Sequence, residues 1–328
     1  AAKVCDANEN CFDSAINAGI DWCLEKQVDL GTDIITMSIG SSIYESSNCP
    51  QTEMDVLINR AYDLGMPFVA ASGNGGAKNG ISYPSCSPKA ISVGSVYDAD
   101  VGSRTFCVES DLQTGECKRT CTDSTTSADQ VVCSSNSYME LDFVAPGSRI
   151  LSSDLGGGFS TRSGTSAAAP HVAGIIALIK QYDSTLSVTE IVDMLKTYSP
   201  KVIDSGNGIS SARVDAKALF GFLGCDMAEN GMSIKSNTEF CKFSYNIPSG
   251  VKIENDNVVL DCNGAILQGS NKAGIGISNL GGKDNVEITN CNVKDYDKGI
   301  SAMGSNVNPA LGNNINNNII NNNNFGLF

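Results

Sequence analysis

The sequence predicts an α/β domain, a parallel sheet with helices on both faces, followed by an all-β domain of short stacked strands. Three observations predict it. Strand-like and helix-like segments alternate up to about residue 222, helical periodicity then disappears, and short alternating runs recur at a fixed offset. A chain of 328 residues also exceeds one core of ordinary size, so two domains, 1–222 and 223–328, are expected.

The first domain reads element by element. CFDSAINAGIDWCLEK (11–26) places Phe12, Ile16, Ile20 and Cys23 on one helical stripe. DIITMSIG (33–40) is a short β-branched run closed by a glycine, hence a buried strand. TEMDVLINRAYDLG (52–65) is a second helix with Gly65 past its end. PFVAASGNGG (67–76) is a strand running into a tight glycine turn, and AISVGSV (90–96) is another strand. Between Val96 and Leu141 the pattern breaks into a polar stretch holding Cys107, Cys117, Cys121 and Cys133, expected to be a stapled loop. LDFVAPGSRI (141–150) restores a strand and turn. GTSAAAPHVAGIIALIKQY (164–182) is a helix apolar on nearly every side, hence expected to be central and buried. SVTEIVDMLKTYSP (187–200) is amphipathic, with Ser187 and Glu190 spaced as a capping box, and ends before Pro200.

In the second domain VKIENDNVVLDCNGAI (251–266) and DNVEITNCNVKDYDKGI (284–300) align, with 29 residues between Cys262 and Cys291. A repeat of this length built from short strands indicates a solenoid, here resembling a right-handed parallel β-helix of the pectate-lyase-like kind. The tract Asn313 to Asn324, almost all Asn and Ile, fits stacked asparagine ladders better than a solvated tail. The chain opens AAKVC, without an initiator Met or a signal peptide, and stops inside the repeat, so both ends read as cut.

Composition excludes some partners. A formal charge of −14 argues against nucleic acid and anionic membranes, which need clustered Lys and Arg. No stretch is long and uncharged enough to span a bilayer. Thirteen cysteines without paired Cys-x-x-Cys motifs favour disulfides and an oxidising, extracellular or cell-surface location over a metal cluster, and the odd count leaves a thiol over.

The sharpest chemical signal is SGTSAAAPHVAG (163–174). Gly164 permits a tight entry turn, and Ser166 then sits at a helix N-terminus, where free N–H groups and the helix dipole favour negative charge. Three alanines keep the first turn small, and Pro170 is tolerated there. These residues resemble the serine motif of the subtilases, the subtilisin-like serine proteases, which implies that Ser166 is a nucleophile. FVAASGNGG resembles the strand that delivers that family's oxyanion-hole asparagine, and this implies the role for Asn74. ITMSIGSS resembles its substrate-lining strand, which puts Ser38, Ile39 and Gly40 beside an extended peptide. Gly40 and the run Ala71, Ser72 and Gly73 are then expected to wall a specificity pocket. YPSCSPKAISVGSV and LDFVAPG resemble framework segments. The resemblance covers about residues 1–220, to GNGISSARVDAKALFG, and implies a subtilisin-like fold acting on protein or peptide substrates.

It does not cover a whole catalytic triad. The family's Asp-x-Gly and His-Gly-Thr motifs are absent, and the one histidine is His171. Five residues along the helix turn it by about 140° and lift it by about 7.5 Å relative to Ser166, so it is not the base. The expectation is a parent protein whose Asp and His precede this sequence; the alternative is a pseudoprotease that binds a glycan, polysaccharide or cell surface through the β-helix. A β-helix with its own lyase chemistry is disfavoured, since no Asp, Lys and Arg cluster is visible in it. The resemblance also suggests a Cys49–Cys86 disulfide beside the pocket strands, and Cys225 and Cys241 bracket the first turn of the second domain. Cys262 and Cys291, at equivalent repeat positions, are expected to stack as small hydrophobes rather than bond. No cofactor is identifiable, although the family often binds structural calcium; no Asp-rich calcium loop stands out. The family's aspartate strand lies mid-sheet, so this chain alone is expected to leave an unpaired interior edge and to be aggregation-prone and poorly cooperative. A sharp, reversible unfolding transition of the recombinant chain would refute that.

Overall fold

The computed structural model describes residues 2–6, 10–41, 43–44, 49–111, 114–154, 156–279, 281–301 and 313–327. The chain forms two compact units, residues 1–215 and 216–328.

The first unit is built on a six-stranded sheet. Its strands lie in the order Ile35–Met37, Phe68–Ala71, Ala90–Val96, Phe143–Pro146, Ser210–Arg213 and Lys201–Ile203. All neighbours are parallel except the last pair. The central strands are buried along their whole length, as a sheet covered on both faces requires. Alternation then divides the core. Phe68, Ala70, Val96 and Val144 pack in one cluster with Ile16, Ile20 and Leu24 of the helix Asp13–Glu25 and Met54 and Ile58 of the helix Glu53–Asp63. Val69, Val93 and Ala145 point to the other face, where the helix Thr165–Tyr182 crosses the sheet. That helix buries Ala168, Ala169, Val172, Ile176 and Ile179, but Pro170, His171, Gly174 and Ala177 are exposed. The all-round burial expected of it is therefore corrected to a one-sided burial, because small residues rather than polar ones cover its outer face.

Helix starts follow their sequence signals. Ser187 caps Val188–Tyr198 in the expected box with Glu190, and Thr52 caps Glu53–Asp63 with Asp55. Among the described residues, the strand Ile35–Met37 has one strand partner and forms the sheet edge. Its Ile35 and Met37 are buried and Thr36 is exposed.

The polar stretch after Val96 is not only a loop. It contains an antiparallel hairpin, Arg104–Ser110 with Cys117–Asp123, stapled by Cys107–Cys117 and tied back by Cys121–Cys133. Disulfides also join Cys5–Cys11, Cys49–Cys86 and Cys225–Cys241, and Cys23 keeps a free thiol.

The second unit begins with the helix Ala216–Phe222, whose Phe220 meets Phe243 edge-to-face at 5.0 Å. The change of composition near residue 222 thus lies one short helix beyond the unit boundary. The chain then runs through three parallel sheets, each strand pairing with the strand one coil further on. This winding is consistent with a β-helix. Inward residues Leu260, Leu267, Ile277, Ile288, Val293 and Ile300 are fully buried. In the asparagine tract, Asn313, Asn318 and Asn323 accept the backbone N–H of Val286, Cys291 and Tyr296 at 2.9, 2.8 and 2.7 Å. Those N–H groups at the coil corners have no strand partner, so the ladder satisfies donors that burial would otherwise penalise. Asn317 and Asn322 supply the left-handed corners, with φ of 52° and 54°.

Cys262 and Cys291 form a disulfide, which corrects the expectation that they only stack. Adjacent coils bring equivalent Cα atoms to 4.7 Å, within the reach of an S–S bridge. Stacking and bonding use the same geometry here.

Candidate active site

Two carboxyl ends of sheet strands build the site. The strand Phe68–Ala71 runs into the turn Ser72–Ala77, which carries Asn74. The strand Phe143–Pro146 runs to Gly147, whose carbonyl accepts the Gly164 N–H at 2.7 Å and so fixes where the serine helix begins.

Thr165 joins the two. Its N–H and its hydroxyl donate to Asn74 Oδ1 at 2.9 and 3.1 Å, and its hydroxyl oxygen accepts the Gly73 N–H at 3.1 Å. Asn74 Oδ1 is thereby consumed inside the chain. Its Nδ2, on an exposed residue, has no hydrogen-bond partner among the described residues. Gly164, at φ 137°, lets the amide lie against the helix start, since a Cβ there would sit 3.2 Å from both Asn74 Nδ2 and Oδ1. Gly73, at φ 100°, is equally constrained: a Cβ would run into Ser82 Oγ and Asn136 Nδ2.

Ser166 is exposed in the first turn of the helix, where its N–H lacks an intrahelical acceptor. Its Oγ donates to the Ser38 carbonyl at 3.3 Å, and Ser38 Oγ donates to the Ser166 carbonyl at 3.0 Å. The predicted substrate-lining Ser38 is thus tied to the predicted nucleophile. His171 Nδ1 lies 2.8 Å from the Ala167 carbonyl on its own helix, where a protonated Nδ1 donates along the helix. Ser166 makes no hydrogen bond to an imidazole.

The remaining predicted residues fall in two places. Ile39 and Gly40 line a cavity of about 490 Å³ together with Met37, Tyr83 and Pro84, and Ser41 N–H donates to the Tyr83 carbonyl at 2.9 Å. Ala71 and Ser72 are buried; Ser72 Oγ donates to the Asn136 carbonyl at 2.9 Å, and the Ser72 N–H and carbonyl are bonded to Val93 and Ser82, so Ser72 offers a wall rather than a free polar group. A separate open groove of about 580 Å³ holds Ser166, with Ile150, Leu151, Arg162, Pro170 and His171 on its walls.

Sequence reasoning missed the supports of the Asn74 turn. Arg119, from the stapled hairpin, donates to the Gly75 carbonyl at 3.2 Å. Lys78, just past the turn, binds the Ser135 carbonyl at 3.0 Å and Asp204 Oδ2 at 2.8 Å. Asp204 also accepts from Ser137 Oγ at 2.6 Å and Gly206 N–H at 2.8 Å. No local motif announces the Arg119, Lys78 and Ser137 contacts, because each crosses a long stretch of sequence.

Burial alone would raise the Asp204 pKa, but the hydrogen bonds from Lys78, Ser137 and Gly206 and the Lys78 charge outweigh it and hold the carboxyl below its ordinary value. A depressed folded-state pKa stabilises the fold above the unfolded value, near pH 4, and that stability is lost as pH falls through the folded value. Thermal unfolding between pH 2 and 7 should therefore show Asp204→Asn less stable than the parent at neutral pH and less sensitive to acid. Parallel curves would contradict this.

The Subtilase family pattern matches residues 1–220. Subtilisin DY of Bacillus licheniformis is 28% identical over 223 residues, covering 66% of this chain and 67% of that protein. Alkaline elastase YaB of Bacillus sp. (strain YaB) is 30% identical over 213 residues, 64% of this chain and 46% of that protein. A solved cold-adapted subtilisin-like serine proteinase is 25% identical with a TM-score of 0.48, covering 65% of each chain. This chain spans from about half to two thirds of the length of these relatives, and by the family pattern over residues 1–220 it belongs to the subtilase family.

Proposed function

We propose that this chain carries the nucleophile and oxyanion hole of a serine endopeptidase that cleaves extended peptides. The single observation behind this reading is the Asn74–Thr165 junction, which spends the amide oxygen internally and leaves the amide nitrogen free beside Ser166. A peptide would lie as an added strand along the backbone of Ser38, Ile39 and Gly40, with Gly40 and the run Ala71, Ser72 and Gly73 walling the specificity pocket. Ser166 Oγ attacks the scissile carbonyl, and the oxygen becomes an anion held by Asn74 Nδ2 and the Ser166 N–H. The C–N bond then breaks, the amine leaves with the serine proton, and water hydrolyses the acyl-enzyme. The proton needs a carrier. His171 is bonded along its own helix, so this reading requires a different imidazole and an aspartate to orient it.

The second unit serves in this reading as a pectate-lyase-like right-handed β-helix, a spacer or a contact to a polysaccharide or cell surface. The disulfides and the absence, among the described residues, of a helix able to cross a membrane accord with an extracellular location. The want of a base favours one other reading, a pseudoprotease that binds through the β-helix.

An active-site-directed fluorophosphonate separates the two. On full-length protein it should label Ser166, and Asn74→Ala should lower kcat by about a hundred- to a thousand-fold, the effect of losing one oxyanion donor; that magnitude is the subtilisin asparagine example. Full-length protein whose Ser166 stays unlabelled would overturn the endopeptidase and leave the binding protein.

A further inference from the structure

We propose that Asn136 is a positioning residue for the oxyanion hole, clasping both ends of the Ser72–Ala77 turn so that Asn74 is aimed at the reacting carbonyl. This rests on the endopeptidase reading above.

Asn136 is 1% exposed, a buried amide in a polar segment that no motif explains. Nearly all of its polar capacity is directed to that one turn. Nδ2 donates to the Ser72 carbonyl at 3.1 Å and to Ser82 Oγ at 3.3 Å. Oδ1 accepts the Ala77 N–H at 3.0 Å. The Asn136 N–H donates to the Gly73 carbonyl at 2.9 Å, and its carbonyl accepts from Ser72 Oγ at 2.9 Å. One side chain thus spans the turn from the residue before Gly73 to the residue after Gly76. It touches no reacting atom.

The consequence for Asn74 is geometric. Thr165 holds Asn74 only through Oδ1, and two bonds converging on one atom leave the amide free to pivot about it. The backbone position of Asn74 sets that pivot, and Asn136 sets the backbone. Gly73, at φ 100°, is confined for the same reason, since a Cβ there would collide with Asn136 Nδ2. The fold itself has other supports here. The Ser72 carbonyl also accepts the Ser82 N–H at 2.9 Å, Ser72 N–H donates to the Val93 carbonyl at 2.9 Å, and Gly76 N–H donates to the Ser134 carbonyl at 2.8 Å. Without the Asn136 side chain the half-buried Ala77 N–H would lose its acceptor and the buried Ser82 Oγ its donor.

The test is a double-mutant cycle on the full-length protein, with kcat and KM measured on a peptide substrate for the parent, Asn136→Ala, Asn74→Ala and the pair. Asn136→Ala should lower kcat by about 10- to 100-fold, the scale of a misplaced catalytic group, with KM changed by less than about twofold. In the Asn74→Ala background it should lower kcat no further, because no donor is left to aim. Asn136→Asp keeps the shape and the Ala77 acceptor and removes the donated bonds; it decides the matter if Asn136→Ala fails to fold, and it should lower kcat likewise. An unchanged kcat in a folded variant, a loss confined to KM, or the same loss without Asn74 overturns the proposal. A parent protein that turns over no peptide overturns the endopeptidase reading first and this inference with it.

Discussion

Two hydrogen bonds from Thr165, one from its N–H and one from its hydroxyl, end on the same oxygen of Asn74, and the candidate site depends on them. They connect parts of the chain that are 91 residues apart. They also settle which end of the Asn74 amide faces outward. An oxygen turned toward a developing oxyanion would repel it, whereas the free nitrogen donates to it. In the proposed endopeptidase, Thr165, the residue before Ser166, would therefore orient the residue that holds the charge created by the attack of Ser166.

The parallel sheet makes that connection possible. Strands running the same way deliver their carboxyl ends to one side, and the turns following Ala71 and Pro146 meet the helix start there. The helix lies across the same strands, so its first turn is held at Gly164 by Gly147 and at Thr165 by Asn74. Around the turn the chain adds supports from separate places: Asn136 beneath it, Arg119 of the stapled hairpin outside it, and the Lys78–Asp204 pair beyond it. The hairpin's two disulfides give the Arg119 contact a constrained base.

How much of this was legible in the sequence follows from the range of each interaction. The Ser166 motif could be read because helix entry, small first turn and proline are local requirements. The strand and glycine turn that carry Asn74 could be read because they are local as well, whereas the role expected of Asn74 came only from the family resemblance. Asn136 and Asp204 could not, since the partners that define their roles, Ser72 for the one and Lys78 and Ser137 for the other, lie more than 50 residues away and their own neighbourhoods look like polar loop. The hairpin 104–123 was missed because neither face is fully buried: Phe106 and Val108 are only half-buried and Cys117–Asp123 is mostly exposed, so the apolar alternation is weak. In the second unit, inward alternation and the asparagine ladder were readable from the repeat. The Cys262–Cys291 bond was misjudged, because sequence shows equivalent positions but not that the coil spacing equals the span of a disulfide. Of the predicted site, Ser38 proved more closely bound to Ser166 than a lining role implies, while Ser72 turned its hydroxyl inward.

The most direct measurement is a crystal structure of the full-length protein with a peptide boronate on Ser166, whose tetrahedral adduct mimics the oxyanion intermediate. One boronate oxygen should lie about 2.7–3.1 Å from both Asn74 Nδ2 and the Ser166 nitrogen, with the Thr165 bonds to Asn74 Oδ1 unchanged. A boronate oxygen facing solvent, or an Asn74 amide turned to present its oxygen, would contradict the account.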